Sequence, residues 1–377
     1  MGINFQLYRH GERTPVSTYP NDPYQEDAWP NGFKQLTKVT LLLFRFNFDF
    51  ACQMGINDFF TITKGCQQQY ELGRYLRQRY NGFLDESYNA SQIYVRSTDY
   101  DRTLASAACH LSGLYPPTGE QVWNSEIQWQ PIPVHTVSTH DDYLLKVGHE
   151  CPAFDPMFKE ANDDFVNNLY KEYEAFLEYV KNATGVKQMN AASLKRIATA
   201  LRLEKNAGFA LPEWTRKVWI DPNDGEEKTA FHIVQKLNVP LTTSLSYLPE
   251  QSRIHSGHLV GTIVNNMKLK VADQTTTPTK MFMYSAHDAT LVSLMNALNI
   301  SDGNVPPFAA CLFIELHTTS IGSYAVRIVY LTDVSKEPVV LSIPQCSSWC
   351  PLEKFQKLVH NVAYYNDEQR STECSLQ

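Results

Sequence analysis

Three basic residues stand close together near the start of the chain: Arg9, His10 and Arg13. Residues 3–7 before them alternate between apolar and polar, which predicts a half-buried strand, and Gly11 allows a sharp turn directly after it. Each of two guanidinium groups can bind two oxygens of a phosphate dianion at once, and a neutral imidazole nitrogen can reach the phosphorus atom. A single arginine or histidine more often makes its hydrogen bonds within the protein and has no ligand. The cluster at a strand end, however, predicts a phosphate-binding site.

A further basic residue, Arg96, follows a short apolar run at 92–95 that predicts a buried strand, and residues 101–114 after it predict a helix. On its own, Arg96 would more often form a salt bridge with Asp99 or Asp101 than bind a ligand. The residues leave both interpretations open.

His287 and Asp288 follow another apolar run at 280–284, and residues 289–298 after them predict a helix. An aspartate in this place commonly caps the helix. Capping is compatible with giving a proton to a leaving group, because a side chain at the start of the helix faces the strand ends. The three candidate segments thus all follow predicted strands, where open α/β sheets usually place their active groups.

These segments resemble, in order, three motifs of the histidine phosphatases. Residues 9–15 (RHGERTP) resemble the RHGxRxP signature, residues 96–103 (RSTDYDRT) the central arginine motif, and residues 285–288 (SAHD) the distal His-Asp pair. Residues 129–135 and 350–355 extend the resemblance, which covers nearly the whole chain. The chain is identified as a member of the histidine acid phosphatases, and it is similar to the animal prostatic and lysosomal enzymes of that family and their invertebrate relatives.

The resemblance implies an acid phosphatase that hydrolyses phosphate monoesters without a metal or another cofactor. His10 would attack phosphorus and form a phosphohistidine, and Asp288 would protonate the departing alkoxide and then help to activate water. Neighbouring guanidinium groups disfavour an imidazolium, so they would keep His10 nucleophilic. Arg102 is expected to order the loop. The residues expected to bind the phosphate oxygens are Arg9, Arg13, Arg96 and His287.

Two other classes of protein remain open. A metal-dependent phosphohydrolase could use residues 140–142 (HDD) with His287 and Asp288 as ligands, but the basic cluster at 9–13 would then have no role. A catalytically inactive secreted binding protein could also keep this scaffold, although all six expected site residues are present. Activity that survives a chelator argues against the first alternative, and phosphate trapped on His10 argues against the second.

The order of the predicted elements favours an α/β fold, with a mainly parallel central sheet flanked by helices and an inserted helical cap domain. Residues 1–134 and 256–377 are predicted to form the phosphatase core. Residues 135–255 are largely helical in pattern and are predicted to form the cap.

The composition is typical of a protein with a packed core, and the resemblance implies a small-molecule or protein phosphomonoester as its substrate. The 377 residues are 43% hydrophobic, which is ample for a core, and the net charge of −7 argues against a nucleic-acid partner. No run of 18 uncharged apolar residues occurs, so no stable membrane span is expected. The resemblance leaves a homodimer open.

The cysteines and glycosylation sequons favour the secretory pathway. By resemblance, Cys151 would pair with Cys374 and Cys346 with Cys350, whereas Cys311 would lack its partner in the family. Reduced, buried thiols in a cytosolic protein are the alternative. We expect a secreted or lysosomal enzyme whose leader is missing from this sequence. The candidate glycosylation sites are Asn89, Asn182 and Asn299.

An insertion over residues 39–64 is the main departure from the family pattern. It carries six phenylalanines and the apolar run 39–44, and it is too long for an ordinary loop. One interpretation is an authentic amphipathic helix, and the other is an error in the gene model, because the flanking motifs rejoin cleanly without it. The second interpretation is favoured.

Overall fold

The computed structural model describes residues 1–37, 64–243, 248–272 and 279–375. The strands are β1 (Ile3–Arg9), β2 (Ile93–Ser97), β3 (Val218–Ile220), β4 (Glu227–Thr229), β5 (Met281–Ala286), β6 (Cys311–Thr318), β7 (Tyr324–Leu331), β8 (Val339–Leu341) and β9 (Cys350–Pro351). The α-helices are α1 (Lys64–Arg79), α2 (Asp101–Leu114), α3 (Asp155–Glu172), α4 (Glu174–Thr184), α5 (Ala191–Asn206), α6 (Ala230–Thr243), α7 (Pro249–Val271), α8 (Asp288–Ala297), α9 (Leu352–Val359) and α10 (Asp367–Cys374).

One mixed sheet has the strand order β2-β5-β1-β6-β7-β8, and β9 pairs with β7. The strands β2, β5 and β1 are parallel to one another, whereas β6, β7, β8 and β9 pair in antiparallel fashion. The predicted α/β fold with parallel central strands and flanking helices is confirmed, although the antiparallel half makes the sheet mixed. Because β2, β5 and β1 run side by side, their carboxyl ends share one edge of the sheet.

Helices cover both faces of this sheet. On one face the core includes side chains of α7, α8 and α9, and on the other it includes side chains of α1 and α2. Strand β1 is consequently buried along its whole length, including Asn4 and Gln6. The predicted half-buried strand is wrong in this respect, because the alternation of residue types does not reveal whether a helix covers the polar face.

A close crossing of α1 and α2 fixes the path of the helix that follows β2. A Cβ atom on Gly73 would lie 2.0 Å from the carbonyl oxygen of His110, and one on Gly113 would lie 2.1 Å from that of Tyr70. Both positions therefore require glycine. The first turn of α2 carries Arg102, whose position at the sheet edge depends on this packing.

The chain divides into two compact units. The sheet unit consists of Met1–Gly11, Gln67–Pro156 and Leu245–Gln377, and the helical unit consists of Glu12–Cys66 and Met157–Ser244. In the helical unit, α4, α5 and α6 share one hydrophobic core, and β3 pairs with β4 in a small antiparallel hairpin.

These bounds differ from the predicted cap over 135–255. Residues 135–156 belong to the sheet unit because His135 forms backbone hydrogen bonds with β2, Asp142 pairs with Arg96, and the Leu145 carbonyl accepts a hydrogen bond from Thr290. A cap function for the helical unit stays a prediction. The insertion over 39–64 falls almost entirely on residues 38–63, which lie outside the described residues.

Both disulfides expected from the resemblance are present in the sheet unit: Cys151–Cys374 and Cys346–Cys350. Cys311 is a free, buried thiol, as expected. Cys66 and Cys109 are disulfide-bonded as well, which the sequence did not predict. Among the described helices, none combines the length and the apolar character needed to cross a bilayer.

Candidate active site

The pairing of β1 with β5 brings the first and last motifs together. In the parallel register Arg9 lies opposite Ala286, and the backbone N–H of His10 donates to the Ala286 carbonyl at 3.0 Å. Residues His287 and Asp288 directly follow Ala286, so the strand ends place both pairs side by side. The ring centroids of His10 and His287 are 5.5 Å apart.

The Arg9 guanidinium is buried and held by two acceptors. Its Nη2 lies 2.7 Å from Oδ2 of Asp288, and its Nη1 donates to the carbonyl oxygen of Pro306 at 2.6 Å. The Arg9 side chain is 2% exposed, whereas that of Asp288 is 28% exposed. Oδ1 of Asp288 accepts the backbone N–H of Ala289 at 2.9 Å, so this carboxylate also contacts the start of α8 as the sequence predicted.

A backbone contact fixes the tautomer of His10. Its Nδ1 lies 2.7 Å from the carbonyl oxygen of Gly11. A carbonyl accepts hydrogen bonds and cannot donate, so in the neutral ring Nδ1 carries the proton and Nε2 carries the lone pair. Nε2 is therefore the nitrogen with nucleophilic character. Ser106 on α2 supports the turn by accepting the backbone N–H of Gly11 at 3.0 Å.

His287 links the site to Arg102. Nη2 of Arg102 lies 3.4 Å from Nδ1 of His287, and Nε2 of His287 lies 3.0 Å from Oγ1 of Thr98. Because a guanidinium only donates, Nδ1 is the accepting nitrogen and Nε2–H donates to Thr98. Both ring nitrogens of His287, a residue expected to bind phosphate, thus contact protein groups in this structure.

Arg102 lies on α2, and its guanidinium contacts His287. Burial lowers the pKa of Arg102, and the negative charge of nearby Asp288 opposes this effect. Its guanidinium also lies 4.5 Å from the ring centroid of Tyr100. Arg102, which was expected only to order the loop, is therefore the arginine of the central motif that contacts His287.

Arg96 is engaged elsewhere in the sheet unit. Its Nη2 lies 2.5 Å from Oδ1 of Asp142, whose side chain is completely buried. Arg96 also borders a cavity of about 390 Å³ whose lining includes Tyr94, His258 and Tyr284 rather than His10 or His287. The open alternative of a salt bridge is thus correct, but its partner is Asp142 and not Asp99 or Asp101.

Arg13 lies in the helical unit, three residues after His10. Its Nη1 donates to the carbonyl oxygen of Thr14 at 2.8 Å, and its side chain borders a cavity of about 240 Å³ with Trp29 and Phe209. The neighbouring Glu12 carboxylate accepts the Asn206 amide at 2.7 Å. This contact connects Glu12 of the signature motif to α5 within that unit.

The described residues do not gather a metal-ligand set. Within the ranges described, no group of three or more His, Cys, Asp and Glu side chains could hold a metal ion. The ligands considered for a metal enzyme are otherwise engaged: Asp142 pairs with Arg96, and His140 pairs with Asp141 at the surface.

One sequence signal pointed to Arg102. Arg102 is the second residue of α2, where the positive end of the helix dipole disfavours a cation. A residue in an electrostatically unfavourable position needs another reason to be there, and contact with an anion is such a reason. Sequence reasoning missed this signal because Arg96 follows the strand more directly.

The chain is similar to known proteins over most of its length. The family model described as "histidine phosphatase superfamily (branch 2)" matches residues 6–331. Prostatic acid phosphatase of Rattus norvegicus is 36% identical over 372 residues, which cover 98% of this chain and 87% of that protein. Lysosomal acid phosphatase of Homo sapiens is 36% identical over 377 residues, which cover 98% of this chain and 79% of that protein.

Solved structures show the same fold at lower identity. The apo form of Hafnia alvei phytase has a TM-score of 0.65 at 14% identity and covers 100% of this chain and 98% of its own. Klebsiella sp. ASR1 phytase has a TM-score of 0.65 at 16% identity, with coverage of 100% and 99%. At this identity the likeness concerns the fold alone.

Proposed function

This chain belongs to branch 2 of the histidine phosphatase superfamily and is an acid phosphatase, and from that premise we propose that it hydrolyses phosphate monoesters through a phosphohistidine on His10. The observation that carries the proposal is the meeting of Arg9 and His10 with His287 and Asp288 at the adjoining ends of β1 and β5. This arrangement supports the proposal because an imidazole, a buried guanidinium and a carboxyl group lie close together, and they would serve as nucleophile, phosphate ligand and proton donor.

In the first step, Nε2 of His10 attacks phosphorus, the N–P bond forms and the P–O bond to the alcohol breaks. Asp288 transfers its proton to the departing alkoxide oxygen. The carboxyl must be protonated at the start of this step, and the negative charge of the bound phosphate favours that state. Activity is therefore expected to fall as pH rises.

In the second step, water attacks the phosphohistidine, its O–P bond forms and the N–P bond breaks. Asp288, now a carboxylate, accepts a proton from the attacking water. Phosphate leaves and His10 regains its lone pair. Splitting the reaction at a covalent intermediate replaces one very slow displacement by two easier ones.

Guanidinium groups supply the charge that stabilises the phosphoryl oxygens in both steps. We assign this role to Arg9 and Arg102, and no longer to Arg96, because Arg96 is bound to Asp142. For Arg13 the same role is proposed from the sequence motif alone. His287 remains a candidate phosphate ligand, since exchanging the Thr98 hydroxyl for a phosphate oxygen at Nε2 would keep its proton in place. We further infer a lysosomal or secreted location, where disulfides such as Cys151–Cys374 persist.

Trapping the intermediate tests the proposal directly. Protein mixed with ³²P-labelled monoester and quenched in base is expected to carry an acid-labile phosphoryl group that peptide mapping places on His10. The His10→Ala variant is expected to give no adduct and no turnover. Turnover by a folded His10→Ala variant would refute the assignment, and loss of wild-type activity with a chelator would favour the metal alternative.

The reassignment from Arg96 to Arg102 predicts that a variant of Arg102 loses activity and that a variant of Arg96 keeps it. Arg102→Ala is expected to lower kcat/KM for p-nitrophenyl phosphate by about 10²-fold, the scale of losing one electrostatic contact to the transition state. The control is the double variant Arg96→Gln/Asp142→Asn, which removes both charges of the buried pair and so avoids leaving Asp142 unpaired. It is expected to keep kcat/KM near the wild-type value. The reverse pattern would restore Arg96 to the site.

A further inference from the structure

A short segment at residues 306–310, which we call the strap, holds the backbone of the catalytic motif. The Arg9 N–H donates to the Ala310 carbonyl at 2.9 Å, and the Ala309 N–H donates to the His10 carbonyl at 3.3 Å. Ala309 has a φ of 59°, a left-handed conformation that is unfavourable for a residue with a Cβ atom. The strap is thus bound to both Arg9 and His10, at some cost in backbone strain.

The strap also contacts the Arg9 side chain from two directions. The Pro306 carbonyl accepts Nη1 at one edge of the guanidinium, and Cζ of Arg9 lies 4.1 Å from the ring centroid of Phe308. This distance is within the range of a cation–π contact, which is strongest where water is excluded. The Phe308 ring also lies beside His10, with centroids 5.8 Å apart.

Asp288 holds the other edge of the same guanidinium, at 2.7 Å from Nη2. In the proposed reaction Asp288 loses its proton in the first step and regains one in the second. Its ion pair with Arg9 weakens whenever the carboxyl group is protonated. The contacts with Pro306 and Phe308 do not depend on protonation. They are therefore the constant part of the support for Arg9 through the catalytic cycle.

We propose that Phe308 is a positioning residue that keeps the Arg9 guanidinium oriented for phosphate while Asp288 is protonated. This inference rests on the proposed function. It predicts that loss of the aromatic face weakens phosphate binding and turnover through Arg9 and not through general destabilisation.

The experiment compares Phe308→Leu with Phe308→Tyr, using p-nitrophenyl phosphate as substrate and inorganic phosphate as competitive inhibitor. Phe308→Leu is expected to raise the inhibition constant for phosphate and to lower kcat/KM, each by about 10-fold, the scale of a desolvated cation–π contact. Phe308→Tyr keeps the aromatic face and is expected to stay near wild type. Trp349→Leu is the matched control, because it removes another arginine–aromatic contact, that of Arg327 at 4.9 Å, outside the proposed site.

A double-mutant cycle with Arg9→Lys decides whether the effect passes through Arg9. In the Arg9→Lys background, Phe308→Leu is expected to change kcat/KM by less than about 2-fold, because the guanidinium that it orients is gone. The same 10-fold loss in both backgrounds, or an unchanged inhibition constant for phosphate, would overturn the inference. If Phe308→Leu does not fold, pentafluorophenylalanine at position 308 keeps the shape while weakening the negative ring face, and the same outcomes apply.

The failure of this inference can be told apart from failure of the proposed function. If His10→Ala abolishes turnover but the cycle is additive, only the role of Phe308 is wrong. If a folded His10→Ala variant turns over substrate, the proposed function is wrong whatever Phe308 does.

Discussion

Asp288→Asn is expected to lower kcat for an alkyl phosphate by about 10²–10⁴-fold, the usual contribution of a general acid. Asparagine has the same shape and keeps an acceptor for the Ala289 N–H, so α8 is expected to stay intact. It cannot deliver a proton to an alkoxide. The loss should therefore depend on how much the leaving group needs that proton.

Measurement of both kcat and kcat/KM for two substrates makes this expectation specific, because kcat/KM excludes hydrolysis of the phosphohistidine, in which Asp288 acts as a base. For p-nitrophenyl phosphate, whose leaving group is a stable phenolate, the loss in the first step is expected to be much smaller than for the alkyl ester. Asp367→Asn is the matched control, since Asp367 is the first residue of α10 and is exposed. An equal loss of kcat/KM for both substrates would contradict a proton-donor role and would indicate that Asp288 acts by holding Arg9.

The core of the site could be predicted from the sequence because it depends on parallel strand ends. An alternating pattern located β1 and apolar runs located β2 and β5, and a parallel sheet brings the residues after such strands to one edge. Arg9, His10, His287 and Asp288 follow from this rule and from the motifs. The rule predicts which residues lie at the edge of the sheet, but it does not predict which other residues form salt bridges or hydrogen bonds with them.

The contacts of Arg96 and Arg102 could not be predicted from local sequence patterns. Arg96 pairs with Asp142, a residue 46 positions later in an irregular segment, and no local pattern reveals that contact. Arg102 reaches His287 because the close glycine crossing of α1 and α2 fixes the helix that carries it. Both facts depend on tertiary packing, which a single sequence does not disclose.

The strap was also beyond prediction from the sequence. Residues 306–310 carry no pattern of a strand or helix, yet Pro306 and Phe308 both contact Arg9. Their position follows from β6, which begins at Cys311 and pairs with β1 in antiparallel register. A loop that enters such a strand necessarily passes the end of β1, where the catalytic motif begins.

A buried pair of carboxyl groups in the helical unit leads to a prediction about stability. Glu204 on α5 is completely buried, and Asp22 is 5% exposed. Asp22 accepts hydrogen bonds from the Thr18 hydroxyl and, at 2.8 Å, from the Tyr24 N–H. Among the described residues, no basic side chain forms a salt bridge with either carboxyl group. Burial, together with the charge of Asp22, raises the pKa of Glu204 to about 9, from an ordinary value of 4.5.

The sign of the pH dependence follows from proton binding. Between pH 4.5 and 9 the folded protein keeps a proton on Glu204 that the unfolded chain releases, so this group destabilises the fold progressively as pH rises. A group titrating alone would cost about 5 kcal/mol by pH 8. Because the titration of Glu204 is coupled to that of Asp22, the cost is expected to be smaller than this. The contribution is at its most favourable at acidic pH.

Glu204→Gln is expected to remove this dependence, because glutamine is uncharged and can still donate a hydrogen bond to Asp22 as a protonated carboxyl does. At pH 8 the variant should be more stable than wild type by about 2–4 kcal/mol, and at pH 4.5 the two should be nearly equal. Urea unfolding at both pH values measures the difference. Glu160→Gln, at an exposed position on α3 in the same unit, is the matched control and should follow the wild-type curve. A Glu204→Gln curve parallel to wild type would mean that Glu204 is ionised in the folded protein.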